Sequence, residues 1–367
     1  MAKVTAIEIE VPTPDGGSRA VRVSSPDREI YPPTDRTPSV TKKMVAEYFA
    51  AVGVPLLNVL RGRPTALERW PGGVHPGMRL AVGGNDKDAD GFYQKRVMKG
   101  APDYVETAKV TFPSGRTADE LCPSEIAVPV WCAQMGTITF HPWAVRVSRS
   151  PDSLDQPDEL RIDLDPQPGT TFSDVLRVAD VTRETLLDLG MVGFCKTSGN
   201  RGVHVFVRIE PRWDFTDVRH AAIALGRELE KRDDGVTTSW WKEERGERIF
   251  VDYNQNCRDR SIASAWSLRA VQGATVSTPL TWSELAEVKD SHELNLFTVP
   301  ERLADKGDPW RDIDETAYSI QPLLELWDAH PVELNYPPDY PKMPGEPPRV
   351  QPSKKVAAHW DEDGNPA

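Results

Sequence analysis

Cysteine and long apolar runs are the two features this chain has least of. Four cysteines occur among its 367 residues, and none shares a Cys-x-x-Cys spacing with another. This scarcity argues against a disulfide scaffold and a structural zinc site. The sequence has no run of 18 apolar residues and no apolar core of signal-peptide length at its start, so no membrane span or secretion signal is predicted. These absences predict a cytoplasmic protein.

Positive charge is also scarce overall, because the formal net charge is −12. The distribution matters more than the total. Residues 36–116 hold 13 Lys/Arg and 7 Asp/Glu, whereas residues 284–367 hold 8 Lys/Arg and 18 Asp/Glu. The local field steers a polyanion, so the acidic total does not exclude nucleic acid as a partner.

Apolar periodicity alternates between the strand and helix periods, which predicts an α/β (α+β) fold. The predicted helix at 39–52 ends before Gly53, and a second is capped by Ser173 and followed by Gly190. Eight prolines between 331 and 352 predict a tail without a core of its own. The principal predicted elements are helices 39–52, 173–189 and 216–231 and strands 137–147, 159–165, 194–209 (with a turn) and 248–253.

Asp163 and Asp165 form the most informative pair. They lie two residues apart at the end of a predicted strand, so their side chains share one face, about 7 Å apart along the chain. Neighbouring carboxylates repel each other unless a cation lies between them, and hard oxygen ligands suit Mg²⁺ or Mn²⁺. A solvated strand end is the alternative, since Asp-x-Asp is short and common.

Two further segments have the chemistry to complete such a site. The glycine-containing turn of residues 197–204 includes Ser198, Arg201 and His204 and is suited to hold phosphate oxygens; an ordinary hairpin is the alternative. Asp252 ends another apolar strand, and three strand-end carboxylates suit two cations about 3.5–4 Å apart. The arginines that follow are candidates for a triphosphate or DNA backbone: Arg258, Arg260 and Arg269.

Two other segments allow competing interpretations. His141 is followed by Pro142 at a strand end, which predicts that the histidine side chain is held in a fixed position. Its role is either functional or structural. Residues 86–91 match the first half of an EF-hand loop, but position twelve is Val97 instead of the required bidentate glutamate. A surface loop is therefore predicted there instead of a calcium site.

Taken in order, these segments resemble the polymerase domain of bacterial DNA ligase D, a branch of the archaeo-eukaryotic primase superfamily. The resemblance covers roughly residues 20–310, and the ordered set is specific although each motif is weak alone. The motifs are Glu-Ile-Tyr-Pro at 29–32, Arg-Gly-Arg-Pro at 61–64, Glu-Arg-Trp-Pro-Gly-Gly-Val at 68–74, Thr-Ile-Thr-Phe-His-Pro-Trp at 137–143, Asp-Leu-Asp-Pro at 163–166, residues 197–204, Val-Asp-Tyr-Asn-Gln-Asn at 251–256 and Ser-Leu-Arg at 267–269.

The resemblance implies a catalytic core of two packed sheets flanked by helices, one sheet being RRM-like. The catalytic domain would span 1–310, as portions of about 1–140 and 141–310 packed together, followed by a C-terminal helix and a Pro-rich acidic tail over 311–367. It also implies a bacterial, nucleoid-associated enzyme performing template-directed nucleotidyl transfer, with a preference for ribonucleotides.

The same resemblance implies roles for individual residues. Asp163, Asp165 and Asp252 would bind two divalent cations, Mn²⁺ or Mg²⁺. The implied nucleotide-binding residues are His141, Ser198, Arg201, His204, Gln255 and Arg269. The implied DNA-binding residues are Lys42 and Arg69 at a downstream 5′-phosphate, Phe92 and Tyr93 stacking on the template base, and Arg245 and Arg258.

Two departures from the family pattern generate expectations. The family commonly has lysine where this chain has Glu68, and a carboxylate facing a 5′-phosphate would repel it. Residues 75–91 are longer than the corresponding segment and precede Phe92, so they are predicted to lie near the template or gap. Deleting residues 83–90 should then change activity on gapped DNA.

The chain has no Lys-x-Asp-Gly ligase motif and no room for a ligase or nuclease domain. A stand-alone polymerase is therefore expected, acting on DNA gaps or ends with NTP or dNTP, a separate DNA ligase and, as a further candidate, an end-binding protein. End joining, gap filling and de novo priming stay open. From other classes, a two-metal nuclease and a non-catalytic DNA-end-binding scaffold are the alternatives.

Overall fold

The structure, a computed structural model, describes residues 5–81, 86, 88–111, 117–147 and 154–337. Its first half is strand-rich. The strands are β1 (Ala6–Pro12), β2 (Ser18–Ser24), β3 (Glu29–Tyr31), β4 (Val40–Thr41), β5 (Thr65–Arg69), β6 (Phe92–Gln94), β7 (Thr107–Thr111), β8 (Thr117–Leu121) and β9 (Thr137–Pro142). The helices of this half are α1 (Lys42–Ala51), α2 (Gly53–Leu60) and α3 (Ala127–Gln134).

The second half alternates strands with longer helices. Its strands are β10 (Glu159–Pro166), β11 (Phe194–Thr197), β12 (Val203–Arg208), β13 (Val236–Thr237), β14 (Ile249–Val251) and β15 (Pro279–Leu280). Its helices are α4 (Phe172–Asp188), α5 (Phe215–Arg232), α6 (Lys242–Arg245), α7 (Trp282–Glu287), α8 (Thr298–Lys306) and α9 (Gln321–Ala329).

Two sheets organise these elements. The larger one has the order β13-β14-β10-β12-β11-β15, in which β10 lies between β12 and β14 and pairs antiparallel with both. The sequence β10-α4-β11-β12-α5-β14 follows the βαββαβ order of an RRM-like unit, as expected. In the second sheet β5 pairs with β6, β8 and β9. The predicted mixed α/β class is therefore confirmed.

Side-chain alternation along β10 gives the larger sheet two different faces. Leu160, Ile162 and Leu164 are buried in one hydrophobic cluster with residues of α4 and α5. The opposite face carries Glu159, Arg161, Asp163 and Asp165. On the neighbouring strand, Phe206 shares the cluster of the first half of the chain, so this second face is the one directed at the other sheet.

A buried ionic network lies on that polar face, at the end opposite the aspartates. Glu159 forms ion pairs with Arg63 at 2.9 Å, Arg161 at 2.7 Å and Arg208 at 3.0 Å, measured between side-chain nitrogen and oxygen. Arg63 and Arg161 are 0% exposed. Arg161 also donates to the Pro142 carbonyl of β9 at 3.1 Å. The network therefore joins the segment after α2, both central strands and the second sheet.

The packed body continues beyond residue 310. Asp314 pairs with Arg208 at 2.7 Å, and Leu323 and Trp327 of α9 lie in the cluster shared with α5. Arg219 of α5 donates to the Leu334 carbonyl at 2.7 Å. Parts of residues 311–337 thus pack against the core, whereas most of the predicted Pro-rich tail lies outside the described residues.

Several predicted boundaries differ from the structure. The first helix ends at Ala51, before Gly53 as predicted, but Gly53 itself begins α2, which is bent 72° from α1. A Cβ on Gly53 would lie 2.5 Å from the Ile126 side chain, so glycine allows close packing there instead of a helix stop. The cap of α4 is Thr171, two residues before the predicted Ser173, and its hydroxyl accepts from the Asp174 N–H.

All four cysteines are buried and free of disulfides. Within the described parts of the chain, no single helix is long and apolar enough to cross a membrane. Only α1 and α2 taken together meet the length and composition test, with the 72° bend between them.

Replacing Glu159 with alanine should destabilise the protein by about 3–5 kcal/mol, because three buried guanidinium groups lose their shared carboxylate. Urea unfolding followed by circular dichroism measures the change. Glu301→Ala, at an exposed position of α8, is the matched control and should stay within about 0.5 kcal/mol of wild type. An unchanged midpoint for Glu159→Ala would show that the network does not stabilise the fold.

Candidate active site

Strand pairing brings the three predicted carboxylates to one end of the larger sheet. Asp163 and Asp165 lie on β10, and Asp252 follows β14 directly. The Asp252 backbone N–H donates to the Asp163 carbonyl at 3.0 Å. A residue 89 positions downstream therefore becomes the neighbour of the first aspartate, because β14 pairs with β10.

The three carboxylates differ in their surroundings. Asp252 is partly buried and accepts from the Gln255 side chain at 2.9 Å and the Asn254 N–H at 3.0 Å. Asp165 is exposed and accepts from the Gln167 amide at 3.1 Å. Asp163 lies between them, with its Oδ1 3.3 Å from the His204 Nε2.

Negative charge in this region is incompletely balanced. Burial, together with the charges of Asp252 and Asp165, raises the pKa of Asp163 well above its usual value. Burial likewise raises the pKa of Asp252, although Gln255 and Asn254 oppose this shift. Among the described residues, no three His, Cys, Asp or Glu side chains form a compact metal-ligand cluster. The donor chemistry and the excess of negative charge suit a divalent cation, but a closed ligand shell is not preformed.

A row of side chains crosses three strands beside the carboxylates. Register pairs Asp163 with His204 and His204 with Lys196. The Lys196 Nζ lies 2.6 Å from the His204 Nδ1 and 2.6 Å from the Ser277 hydroxyl. Sequence reasoning missed Lys196; the available signal was a charged residue inside an otherwise apolar strand.

The turn between β11 and β12 is held by its own hydrogen bonds. Ser198 accepts through Oγ from the Gly202 N–H at 3.0 Å and the Asn200 N–H at 3.2 Å. Gly199 has φ +71°, and a Cβ there would lie 2.5 Å from the Arg269 side chain. The Ser198 hydroxyl therefore shapes the turn, while Arg201 is exposed at its tip.

Arg269 is the cation that links the two halves of the site. It packs against Gly199, and its charge lowers the pKa of both His204 and His141, in each case after burial as the main cause. Its Nε is buried and makes no hydrogen bond within the part of the chain that the structure describes. Such a donor is available to an anionic ligand.

Glu68 occupies a position different from the expected one. Its carboxylate is 5% exposed, accepts from the Trp70 indole at 2.9 Å and lies 3.0 Å from the His141 Nε2. The expectation that it faces a 5′-phosphate is wrong, because successive side chains of β5 point to opposite faces and Glu68 points inward. It orients His141, whose ring meets Tyr93 edge-on with centroids 5.1 Å apart.

The predicted aromatic pair is exposed on β6. Phe92 is 36% and Tyr93 47% exposed, which is unusual for large apolar side chains. Arg69 places its guanidinium 5.2 Å from the Phe92 ring centroid and donates to the Met135 carbonyl and the Gln94 amide. Phe92 and Arg69 lie on one face of the β5–β6 pair, whereas Tyr93, the partner of Glu68, lies on the opposite face beside His141. An exposed aromatic ring is suited to stacking on a base.

Three side chains predicted to contact DNA bind internal acceptors in this structure, and their contact with DNA stays a prediction. Lys42 turns its ammonium inward to the Ser24 carbonyl at 3.0 Å, and this burial lowers its pKa. Arg245 stacks 3.5 Å above the Phe250 ring centroid and donates to the Trp240 carbonyl. Arg258 binds Asp155 at 2.5 Å and the Thr111 carbonyl at 3.1 Å. In each case internal acceptors bind the cation that was predicted to bind DNA phosphate.

The longer segment before β6 is described only in part. Arg79 binds Asp86 at 3.7 Å, and its backbone N–H donates to the Asp90 carboxylate at 2.9 Å. These carboxylates thus take part in contacts of their own loop. Residues 82–85 and 87 lie outside the described residues, so the role of this loop at the template stays a prediction.

Replacing Glu68 with the family's lysine should destabilise the protein by about 3 kcal/mol or more, because it places a cation beside buried His141. Thermal unfolding and fluorescence anisotropy on gapped DNA, with and without a downstream 5′-phosphate, test this. Glu106→Lys, at an exposed position, controls for the added charge. Unchanged stability together with tighter binding only to the 5′-phosphorylated DNA would show that residue 68 faces the DNA end.

Comparison with known proteins agrees with this geometry. The family model described as "LigD, primase-polymerase domain" matches residues 41–310. The multifunctional non-homologous end joining protein LigD of Pseudomonas aeruginosa is 31% identical over 317 residues, which are 84% of this chain and 35% of that protein. The corresponding protein of Mycobacterium bovis is 28% identical, over 81% of this chain and 37% of that protein.

A solved structure shows the same fold. The polymerase domain of Mycobacterium tuberculosis ligase D, in complex with DNA, aligns with a TM-score of 0.70 and 28% sequence identity, covering 81% of this chain and 98% of that one. The chain spans about a third of the length of the curated relatives it matches. Because the family model covers most of the chain and the fold agrees with a solved member, the chain belongs to the LigD primase-polymerase domain family.

Proposed function

We propose that this protein is a DNA-repair polymerase that transfers nucleotides to a primer end under the direction of a template. The observation that carries the proposal is the placement of three strand-end carboxylates beside buried His204 and Lys196 and the Arg269 side chain. Membership of the LigD primase-polymerase family supports the reaction class, and the relatives' role in end joining supports DNA repair.

In this proposal Asp163, Asp165 and Asp252 hold two divalent cations, Mn²⁺ or Mg²⁺. The ions would activate the primer hydroxyl and neutralise charge on the leaving group. The carboxylates supply hard oxygen ligands on one sheet edge, where Asp163 and Asp252 are linked through the backbone at 3.0 Å. Gln255 and Gln167 orient two of the three carboxylates through hydrogen bonds.

The triphosphate would lie against the turn of residues 197–204. Its backbone N–H groups, the exposed Arg201 and the Arg269 guanidinium supply positive potential, and His204 adds a ring nitrogen next to Asp163. His141, oriented by Glu68, would contact the nucleotide sugar. A preference for ribonucleotides is part of the proposal and depends on contacts at this sugar.

The DNA would approach over β6. Phe92 presents an exposed ring beside Arg69 and Tyr93 presents one beside His141, and stacking of a base on such a ring contributes about 1–3 kcal/mol. Short gaps or ends of DNA are the proposed substrates. A separate ligase that seals the product, and an end-binding protein, are the proposed partners.

Primer extension on gapped DNA with Mn²⁺ and either NTPs or dNTPs tests the function. Asp163→Ala/Asp165→Ala should lower extension by at least about a thousandfold, because it removes two of the three proposed metal ligands. Asp180→Ala/Asp188→Ala is the matched control, since it removes two carboxylates of exposed ion pairs on α4. It should extend primers as wild type does.

Equal extension by Asp163→Ala/Asp165→Ala and wild type would refute the proposed chemistry. Metal-dependent shortening of the primer by wild type, without extension, would favour a nuclease. DNA binding with neither reaction would favour an end-binding scaffold. A comparison of NTP and dNTP rates in the same assay tests the ribonucleotide preference.

A further inference from the structure

Lys196 is a buried charged residue that the proposed chemistry does not yet use. It lies on β11 with 0% exposure, in register with His204. An amine in an apolar strand is costly unless its donors are satisfied. Burial, together with the charge of Arg269, places the pKa of Lys196 well below its usual value. The position is therefore unfavourable for a purely structural side chain.

The neighbours of Lys196 fix the direction of its hydrogen bond with Ser277. The Ser277 hydroxyl donates to the Thr197 carbonyl at 2.9 Å, so its oxygen accepts from the Lys196 Nζ. The remaining short contact of Nζ is the His204 Nδ1 at 2.6 Å. If Nδ1 accepts from lysine, the single proton of neutral His204 lies on Nε2.

The other side of the ring faces the proposed metal site. The His204 Nε2 lies 3.3 Å from the Asp163 Oδ1. In the Nε2–H tautomer the ring directs its proton at this carboxyl group. The contact with Lys196 therefore decides which tautomer faces Asp163.

We propose that Lys196 is a positioning residue that holds His204 in its Nε2–H tautomer, so that the ring donates toward Asp163 and the triphosphate site. The inference rests on the proposed function for the identity of the ligand, a nucleoside triphosphate. Lys196 touches neither the ligand nor the carboxylates; it acts through the ring. Ser277 completes the arrangement by holding the Lys196 Nζ in place.

Nuclear magnetic resonance of ¹⁵N-histidine-labelled protein tests the tautomer directly, with the His204 signals assigned by their loss in His204→Gln. Wild type should show the Nε2–H pattern without any nucleotide or metal. Lys196→Met, which keeps the side-chain length and removes the donor, should move the signals toward the Nδ1–H pattern. Its melting temperature should equal or exceed that of wild type, because a buried amine is replaced by an apolar group.

Steady-state primer extension supplies the second measurement. Lys196→Met should lower kcat/KM for the nucleotide about 10- to 100-fold, the usual effect of removing a group that orients a functional histidine. Lys306→Met, which removes an exposed lysine of α8, should change neither tautomer nor rate. Lys196→Gln retains a shorter donor and should restore part of the Nε2–H signal and of the rate.

Either of two results overturns the inference: an Nδ1–H pattern in wild type, or an unchanged His204 pattern in Lys196→Met. A folding defect of Lys196→Met does not remove the test, because the wild-type spectrum and Lys196→Gln remain. If wild type extends no primer, the proposed function fails, yet the spectra still decide what Lys196 does to the ring.

Discussion

The alternation of side chains along β10 is the constraint on which the rest of the structure depends. One face, with Leu160, Ile162 and Leu164, is buried against helices. The other face carries charge into the space between the two sheets, and a strand offers no third direction. Glu159 at one end of this face pairs with three arginines, whereas at its other end burial and the charges of Asp252 and Asp165 raise the pKa of Asp163. The residues that stabilise the fold and the candidate catalytic residues thus lie at opposite ends of a single strand.

The strand order converts distant residues into neighbours. Because β10 lies between β12 and β14, Asp163 has His204 on one side and Asp252 on the other. A further strand adds Lys196, so that an acidic centre is followed by a histidine and then a lysine. The low dielectric of the interior strengthens each of these interactions and makes an unpaired group costly. The site is consequently assembled by sheet register together with the glycine turn and the irregular segments that follow β14.

Comparison of predicted and observed side chains shows where sequence reasoning reaches its limit. The carboxylates and the turn of residues 197–204 were identified because each motif is local and lies at a strand end. Lys42, Arg245 and Arg258 were assigned to DNA, yet each binds an internal acceptor. A basic side chain binds a phosphate or a backbone carbonyl with the same donors, so residue type alone cannot distinguish the two.

What the sequence determined by itself was local: the strand and helix periods, the carboxylate pair, the glycine turn and the ordered motifs that indicate the family. What only the tertiary structure decided was which side chains face each other. Glu68 illustrates the difference, since its neighbour Arg69 lies toward the Phe92 surface while Glu68 points inward to His141. Lys196 gains its role only because β11 pairs with β12 in that register. Strand pairing and side-chain burial depend on contacts between residues that are far apart in the chain. A local sequence pattern therefore does not predict them.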